Sequence, residues 1–325
     1  MPLIPFLVEF DMSEPEYHKP ALVNEVMSLL SIKSGDNCID ATIGDGGHAK
    51  AILDASAPDG QLLGIDADPQ SILRAKKRLT PYSERTQLVN DNFSNLERVS
   101  DTKFNNPVMG ILIDLGLASW HFKSANRGFS FSDESDLDMR LNPDQGESAS
   151  YIINKYSQSD LSNLIYRYGE EPKARRIASS IVRSRPVETA SQLADAVQKV
   201  SPRRGRRIHP ATRTFQAIRM VVNRELEVLE SVLIQAERVL EKGGRLAVIA
   251  YHSLEDRIVK SFMKRESLDC LCGPEIANCI CDHKAKLELL TKKVVKPSRD
   301  EILSNPNSRS ARLRACIILG ALPGT

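Results

Sequence analysis

The sequence predicts a doubly wound α/β fold interrupted by an inserted helical domain. Three observations carry this expectation. Short apolar runs alternate with amphipathic helical stretches up to about residue 115. A glycine turn, Gly44-Asp45-Gly46-Gly47, follows the first run. The alternation stops near residue 124 and resumes near residue 226, with only helical periodicity in between.

Residues 37–42 (NCIDAT) read as a buried strand, and residues 48–55 after the glycine turn have helical composition. Residues 61–66 (QLLGID) form a second strand. Residues 69–79 form a helix with Ile72, Leu73, Ala75 and Leu79 on its apolar face. Residues 87–89 and 107–115 supply a third and a fourth strand. Strand–helix alternation of this kind builds a parallel sheet.

Residues 124–142 are polar and glycine-containing, a long loop, and residues 147–200 read as short helices. Ser159 is the expected N-cap of a helix ending at Tyr168. Ala174, Ile177, Ala178 and Ile181 mark the next helix. Leu193, Ala194, Val197 and Val200 mark another, capped near Thr189 or Ser191. A helical tract over 211–240 is expected to end at Lys242-Gly243-Gly244 as a C-cap. Residues 245–251 (RLAVIAY) are a fifth strand followed by a helix, and residues 292–295 and 311–319 supply late strands. The expected division is therefore 1–125 and 216–325 for the sheet domain, with 126–215 as the helical insertion.

Composition is that of an ordinary globular protein: 325 residues, 41% hydrophobic and 26% charged, with a net charge of +2. So small a net charge leaves polyanion binding to local basic patches. No stretch approaches the roughly eighteen apolar residues of a membrane helix. The opening segment lacks a basic flank and a small-residue cleavage site, so the cytoplasm is the expected compartment. Of six cysteines, Cys38 and Cys316 sit alone in apolar runs, as small core residues do. Cys270, Cys272, Cys279 and Cys281 cluster in two C-x-C pairs, which leaves zinc ligation and free thiols both open.

The glycine turn presents backbone N–H groups at a helix N-terminus. Asp66 ends the second strand twenty residues after Gly46, where a carboxylate reaches ribose hydroxyls. Gly44, Gly46 and Ala49 also satisfy the dinucleotide pattern, so a nicotinamide-dependent oxidoreductase competes. Asp40 and Asp114 favour the other reading. Asp40 precedes the glycines, where it could hold an ammonium group, and Asp114 ends the fourth strand at the same crevice. Together they suit S-adenosylmethionine better than a pyrophosphate.

At this point longer blocks enter. They are His18-Lys-Pro20, Asp40-Ala-Thr-Ile-Gly-Asp-Gly-Gly-His48, Gly64-Ile-Asp-Ala-Asp-Pro69 and Asp91-Asn-Phe93. They continue with Asp114-Leu-Gly116, Arg127-Gly-Phe-Ser-Phe131, Leu137-Asp-Met-Arg140 and Tyr168-Gly-Glu-Glu171. The last are His209-Pro-Ala-Thr-Arg-Thr-Phe-Gln216, His252-Ser-Leu-Glu-Asp-Arg257 and Asn305 through Arg314. In this order the chain resembles the bacterial 16S ribosomal RNA (cytosine N4)-methyltransferase family, of the RsmH/MraW type. The resemblance implies a class I S-adenosylmethionine-dependent methyltransferase fold, Rossmann-like, with a helical insertion. It implies cofactor contacts at Gly46, Gly47, His48, Asp66, Phe93 and Asp114. His121 stands where the family usually has a glutamine, and an imidazole can still make one hydrogen bond.

The implied acceptor is the exocyclic amine of a cytidine in the decoding region of 16S rRNA. Its lone pair is delocalised, so a catalyst must accept its hydrogen bonds and hold it in line with the methyl group. The carboxylate of Asp114, or the backbone carbonyls beside it, is the expected acceptor, with His252 and Asp256 near the same crevice. An N-capped helix is the alternative role for the segment from His252 to Arg257. The transfer calls for no metal, and none is assigned to the site. RNA contacts are expected from Arg203, Arg204, Arg206 and Arg207, from Lys292, Lys293, Lys296 and Arg299, and from Arg309, Arg312 and Arg314. Phe129 and Phe131 either stack on a base or cofactor, or pack as core. The small ribosomal subunit is the expected partner and a homodimer the assembly to test. A non-catalytic RNA-binding assembly factor is the remaining alternative.

Overall fold

Sheet and helices pack as the alternation demands. The computed structural model describes residues 17, 19–104, 106–117, 119–123, 126–202, 209–273, 276 and 278–320. His18 and the arginines of 203–207 lie outside the described residues. The first half runs α1 (Val23–Leu30), β1 (Asn37–Asp40), α2 (Gly47–Ala55), β2 (Leu62–Asp66), α3 (Pro69–Arg78), β3 (Thr86–Asn90), α4 (Leu96–Lys103) and β4 (Val108–Asp114). A short α5 (Ser119–Lys123) precedes the insertion, which holds α6 (Ala149–Lys155), α7 (Gln158–Gly169), α8 (Ala174–Arg183) and α9 (Ala190–Gln198). Then follow α10 (Thr212–Val222), α11 (Glu225–Val239), β5 (Leu240–Ala250), α12 (Ser253–Glu266), β6 (Leu287–Leu289), α13 (Arg299–Ser304) and β7 (Arg312–Ile318).

The seven strands lie in the order β3-β2-β1-β4-β5-β7-β6. All pairs from β3 to β5 are parallel, and β7 is antiparallel to both β5 and β6. Winding leaves β1 in one direction toward β3 and resumes on its other side with β4. The switch point therefore falls between β1 and β4, and a crevice opens at the carboxyl ends of these strands.

Both faces are apolar because both are covered, the usual state of a parallel sheet. Ile39, Leu63, Ile111, Ile113, Leu246 and Val248 pack against α4, α11 and α12 through Leu96, Leu229, Leu233 and Val259. Their alternates Cys38, Leu62, Leu112, Ala247 and Ile249 pack on the other face against Val26, Leu30, Ile52 and Leu53. A third core lies within the insertion. It joins Phe129, Leu137 and Met139 to Ile152, Leu161, Ile177, Ile181, Leu193, Phe215 and Ile218. α10 contributes to this core, so the expected boundary at 215 falls inside a helix.

The structure departs from the sequence expectations at four places. Ser157, not Ser159, caps α7, with its hydroxyl accepting from Asp160 N at 3.1 Å. The tract expected over 211–240 is two helices. The break is at Arg224, whose φ is 50°, beside Asn223, which holds Leu141 N and Met139 O with its amide. α11 ends at Val239, so Lys242-Gly243-Gly244 is not its C-cap. Val108 pairs with Leu240 and Gly110 with Arg245, and residues 241–244 bulge out of that ladder. At residues 292–295 only Val295 pairs, in a single bridge to Leu313, and the extra strand forms at β6 instead.

Candidate active site

The turn after β1 begins the site. Gly46 takes φ 74° as the residue before α2, a conformation glycine adopts without the strain a side chain brings. His48, in the first turn of α2, is buried. Its Nε2 lies 2.8 Å from Ala21 O, so the ring donates there. Its Nδ1 then faces Asp114 Oδ2 at 3.7 Å, beyond hydrogen-bond range.

Asp66 at the end of β2 is held by two backbone donors, Gly44 N to Oδ2 and Asp68 N to Oδ1, each at 2.9 Å. Burial pushes its carboxyl up to about 6, although both hydrogen bonds and the nearby His121 pull it down. Asp40 is more deeply placed and only 1% exposed. Burial pushes it up to about 8 against one opposing hydrogen bond from Thr42 N, and the charges of Asp114 and Asp66 add to the rise. Asp114 at the end of β4 accepts from Gly116 N at 3.1 Å, and its own N–H donates to Thr42 Oγ1 at 2.6 Å. Tyr251 hydrogen-bonds the same carboxylate. Burial first, and then that negative neighbour, hold its phenol well above the ordinary tyrosine range. Gly116 makes room for this ring, since a Cβ there would come within 2.6 Å of Tyr251 Cε2.

Most of these groups border one cavity with about 1030 Å³ of empty space, part of it open to solvent. Of the residues expected from sequence, Gly47, His48, Asp66, Phe93, Asp114 and His121 line it. Gly46 sits just behind the lining, and its bare Cα faces Leu79 and Ala75 of the α3 segment. Asp40 is likewise behind it, beneath the turn.

His121 is not a loose substitute for a glutamine. Its Nε2 lies 3.2 Å from Asp68 Oδ2 and its ring stacks on Trp120 with centroids 4.1 Å apart. Asp68 also caps α3 through Gln70 N and receives the Arg127 guanidinium. Burial opposes ionisation of Asp68, but the His121 and Arg127 hydrogen bonds outweigh it, so its carboxyl stays below the usual range. Arg127 donates as well to Arg140 O and Leu141 O, each at 3.0 Å, which ties the two ends of the 126–142 loop together where Leu141 lines the cavity. Phe129 is 5% exposed and belongs to the insertion core, where Phe131 also packs, stacked on His209 at 4.4 Å. Both aromatics are core.

On the far wall, His252 caps α12. Glu255 N donates to His252 Nδ1 at 3.3 Å, and Glu255 Oε2 accepts from Tyr251 N and His252 N at 2.9 and 3.3 Å. His252 Nε2 lies 2.8 Å from Glu255 Oε1, off hydrogen-bond alignment. His252 does not itself line the cavity, whereas Tyr251 and Glu255 do. Asp256 turns away and pairs with Arg314 at 2.7 Å and Arg312 at 3.4 Å. Those two arginines are thereby engaged, and Arg314 is buried. Lys292, Lys293, Lys296 and Arg299 are exposed. Glu170 of the insertion accepts from Ser253 Oγ and Arg257, fastening the insertion to the start of α12.

A model of the MraW methylase family matches residues 16–318. The chain belongs to that family. Among curated relatives, a ribosomal RNA small subunit methyltransferase H of Thermomicrobium roseum is 50% identical over 301 residues, covering 92% of each chain. One of that name from Dehalococcoides mccartyi is 49% identical over 297 residues, covering 91% of this chain and 85% of the relative. Membership makes this methylase an enzyme and sets aside the nicotinamide and assembly-factor alternatives.

Sequence reasoning missed Thr42, Asp68, Arg127, Tyr251 and Glu255. Asp68 had a legible signal, an Asp-Pro pair at the start of a helix. Tyr251 and Glu255 had none beyond following a strong strand.

Proposed function

We propose that this MraW-family methylase moves the methyl group of S-adenosyl-L-methionine to the exocyclic N4 of a cytidine in the decoding region of 16S rRNA. The cytoplasm is its proposed place of action. The cavity at the switch point, with Asp66 and Asp114 facing it from adjacent crossovers, is the observation that carries this reading. Its donor set fits that cofactor. Asp66, fixed from behind by two N–H groups, keeps lone pairs for ribose hydroxyls. Gly44, Asp45, Gly47 and Phe93 border the same space. When bound, the cofactor supplies an electrophilic methyl group on a sulfonium.

The chain's own residues do the rest. Asp114 accepts a hydrogen bond from the N4 amine, orients its lone pair and takes up the proton released as the N–C bond forms. Tyr251 holds the Asp114 carboxylate in place. His252 acts through Glu255, whose position it fixes, and so is a positioning residue. The 126–142 loop, tied down by Arg127, keeps water from the reacting atoms. Exposed Lys292, Lys293, Lys296 and Arg299 meet RNA phosphates. The proposed division remains 1–125, 126–215 and 216–325, with α10 spanning the second boundary, and a homodimer is the assembly to test by sedimentation. No helix among the described residues is long and apolar enough to cross a membrane.

The deciding experiment is tritiated methyl transfer to small subunits lacking the modification, followed by nucleoside analysis. N4-methylated cytidine is expected. Label on another base, or none at saturating cofactor, overturns the reading.

A further inference from the structure

Far from the cavity, the chain makes an excursion between α12 and β6. Among the described residues from 267 to 286 none is buried. Such a segment has no core of its own to offset the entropy of ordering it. It is nonetheless tied at its base. Lys286 N donates to Glu266 O at 2.9 Å, and His283 Nε2 lies 3.2 Å from Arg265 O. At its tip the two C-x-C pairs converge, and all four Sγ atoms lie within 4.8 Å of one another.

The separations select among the chemistries open to four thiols. Cys270 Sγ lies 3.4 Å from Cys279 Sγ and 3.8 Å from Cys281 Sγ, and Cys279 and Cys281 are 3.5 Å apart. A disulfide needs about 2.05 Å. A tetrahedron of sulfurs, each about 2.3 Å from a central zinc, has edges of about 3.8 Å. The sulfurs also receive backbone donors: Leu271 N to Cys281 and Cys272 N to Cys270, each at 3.3 Å, and Ile280 N to Cys272 at 3.5 Å. N–H groups aimed at sulfur offset the charge of a thiolate and orient it as a ligand.

We propose that Cys270, Cys272, Cys279 and Cys281 bind one Zn²⁺ in a closed tetrathiolate site that staples the excursion between α12 and β6. Four protein ligands leave no open position, so the site is structural. Each thiol gives its proton to solvent on binding, which makes affinity rise with pH. The converging ligand atoms are those of the four cysteines alone, while His283 presents its Nε2 to Arg265 O. Place in the fold supports the structural role. α12 leaves the cavity at His252 and runs for 14 residues, about 21 Å, before the excursion begins. β6 then enters the sheet with Leu287 beside Ile318, while Ile317 faces Arg245 at the entry end of β5. The cluster thus lies at the end of the sheet opposite the cavity.

The test uses the full chain, purified under reducing conditions without chelators. One zinc per chain by mass spectrometry is expected, and its loss in Cys272→Ser/Cys279→Ser. Cobalt added to the chelator-treated chain should give thiolate-to-metal charge transfer and strong tetrahedral ligand-field bands, both displaced by zinc. Zinc should also shield all four thiols from alkylation. Cofactor affinity of the double variant should stay within about threefold of the parent, because the length of α12, about 21 Å, separates the start of the excursion from the cavity wall. Zinc below stoichiometry after reconstitution, an octahedral cobalt spectrum, iron in place of zinc, or a disulfide among the four would each overturn the proposal. Methyl transfer is no part of this readout, so the two proposals fail independently.

Discussion

The two walls of the cavity are built on opposite plans. On the β1–β2 wall, Asp66 accepts one backbone N–H on each oxygen and keeps lone pairs free. On the β5–α12 wall, Glu255 accepts two N–H groups and lies against the His252 ring, while Asp256 is taken by two arginines. Carboxylates are plentiful on both sides, so their presence does not mark the ligand-facing ones. Spare acceptor capacity does, and it is found at Asp66 and Asp114. The engaged carboxylates instead fix local structure: Asp45 pairs with Arg74, Asp68 with His121 and Arg127, Glu255 holds the start of α12, and Asp256 pairs with Arg312 and Arg314.

That contrast can be broken first at Asp114. Asp114→Asn keeps the shape but loses the proton acceptor, and single-turnover methyl transfer should fall about 100-fold. A rate within a factor of three of the parent would remove Asp114 from the chemistry. Next is Asp66→Ala. Losing hydrogen bonds from a carboxylate should weaken cofactor binding by about 2 kcal/mol, or roughly 30-fold, by calorimetry. Unchanged affinity would mean that the two walls do not differ as described.

Glu255→Ala should act on stability instead. It leaves the Tyr251 and His252 N–H groups without their acceptor and opens the α12 cap, a loss of about 1–3 kcal/mol in urea unfolding. Cofactor affinity that collapses while stability holds would reverse the assignment. A fourth test, at Asp40, is read from the pH dependence of stability. Its folded carboxyl titrates at about 8, far above the ordinary 3.8, so the folded chain keeps a proton that the unfolded chain has shed. Stability therefore falls as pH rises between these values, and Asp66 adds to the fall up to about 6. Asp40→Asn removes the Asp40 part, so its gain in melting temperature over the parent should be larger at pH 8 than at pH 5. A gain independent of pH would place the proton elsewhere.

Much of this was legible because its causes are local. Residues 37–42 and 61–66 read as strands since their apolar runs are bounded by turns, and β1 and β2 form within them. Thr189 or Ser191 read as a cap, and the structure shows Thr189 in a capping box with Gln192. Where two local causes look alike, reading failed. Lys242-Gly243-Gly244 suits a helix end as well as a bulge, and the pairing of Val108 with Leu240 decided for the bulge. The helix break at Arg224 depends on Asn223 reaching Met139 and Leu141, more than eighty residues earlier in the chain.

The same division holds for function. By itself the sequence determined the order of the strands' acidic ends, the glycine turn between them and the blocks that mark the family. Each is a matter of residue type at short spacing. Only the tertiary structure decided which acids face the cavity, that His121 is bound to Asp68, that His252 caps a helix, and that four cysteines meet at one point. Those outcomes depend on which partner reaches each polar group first, and the partners come from distant parts of the chain.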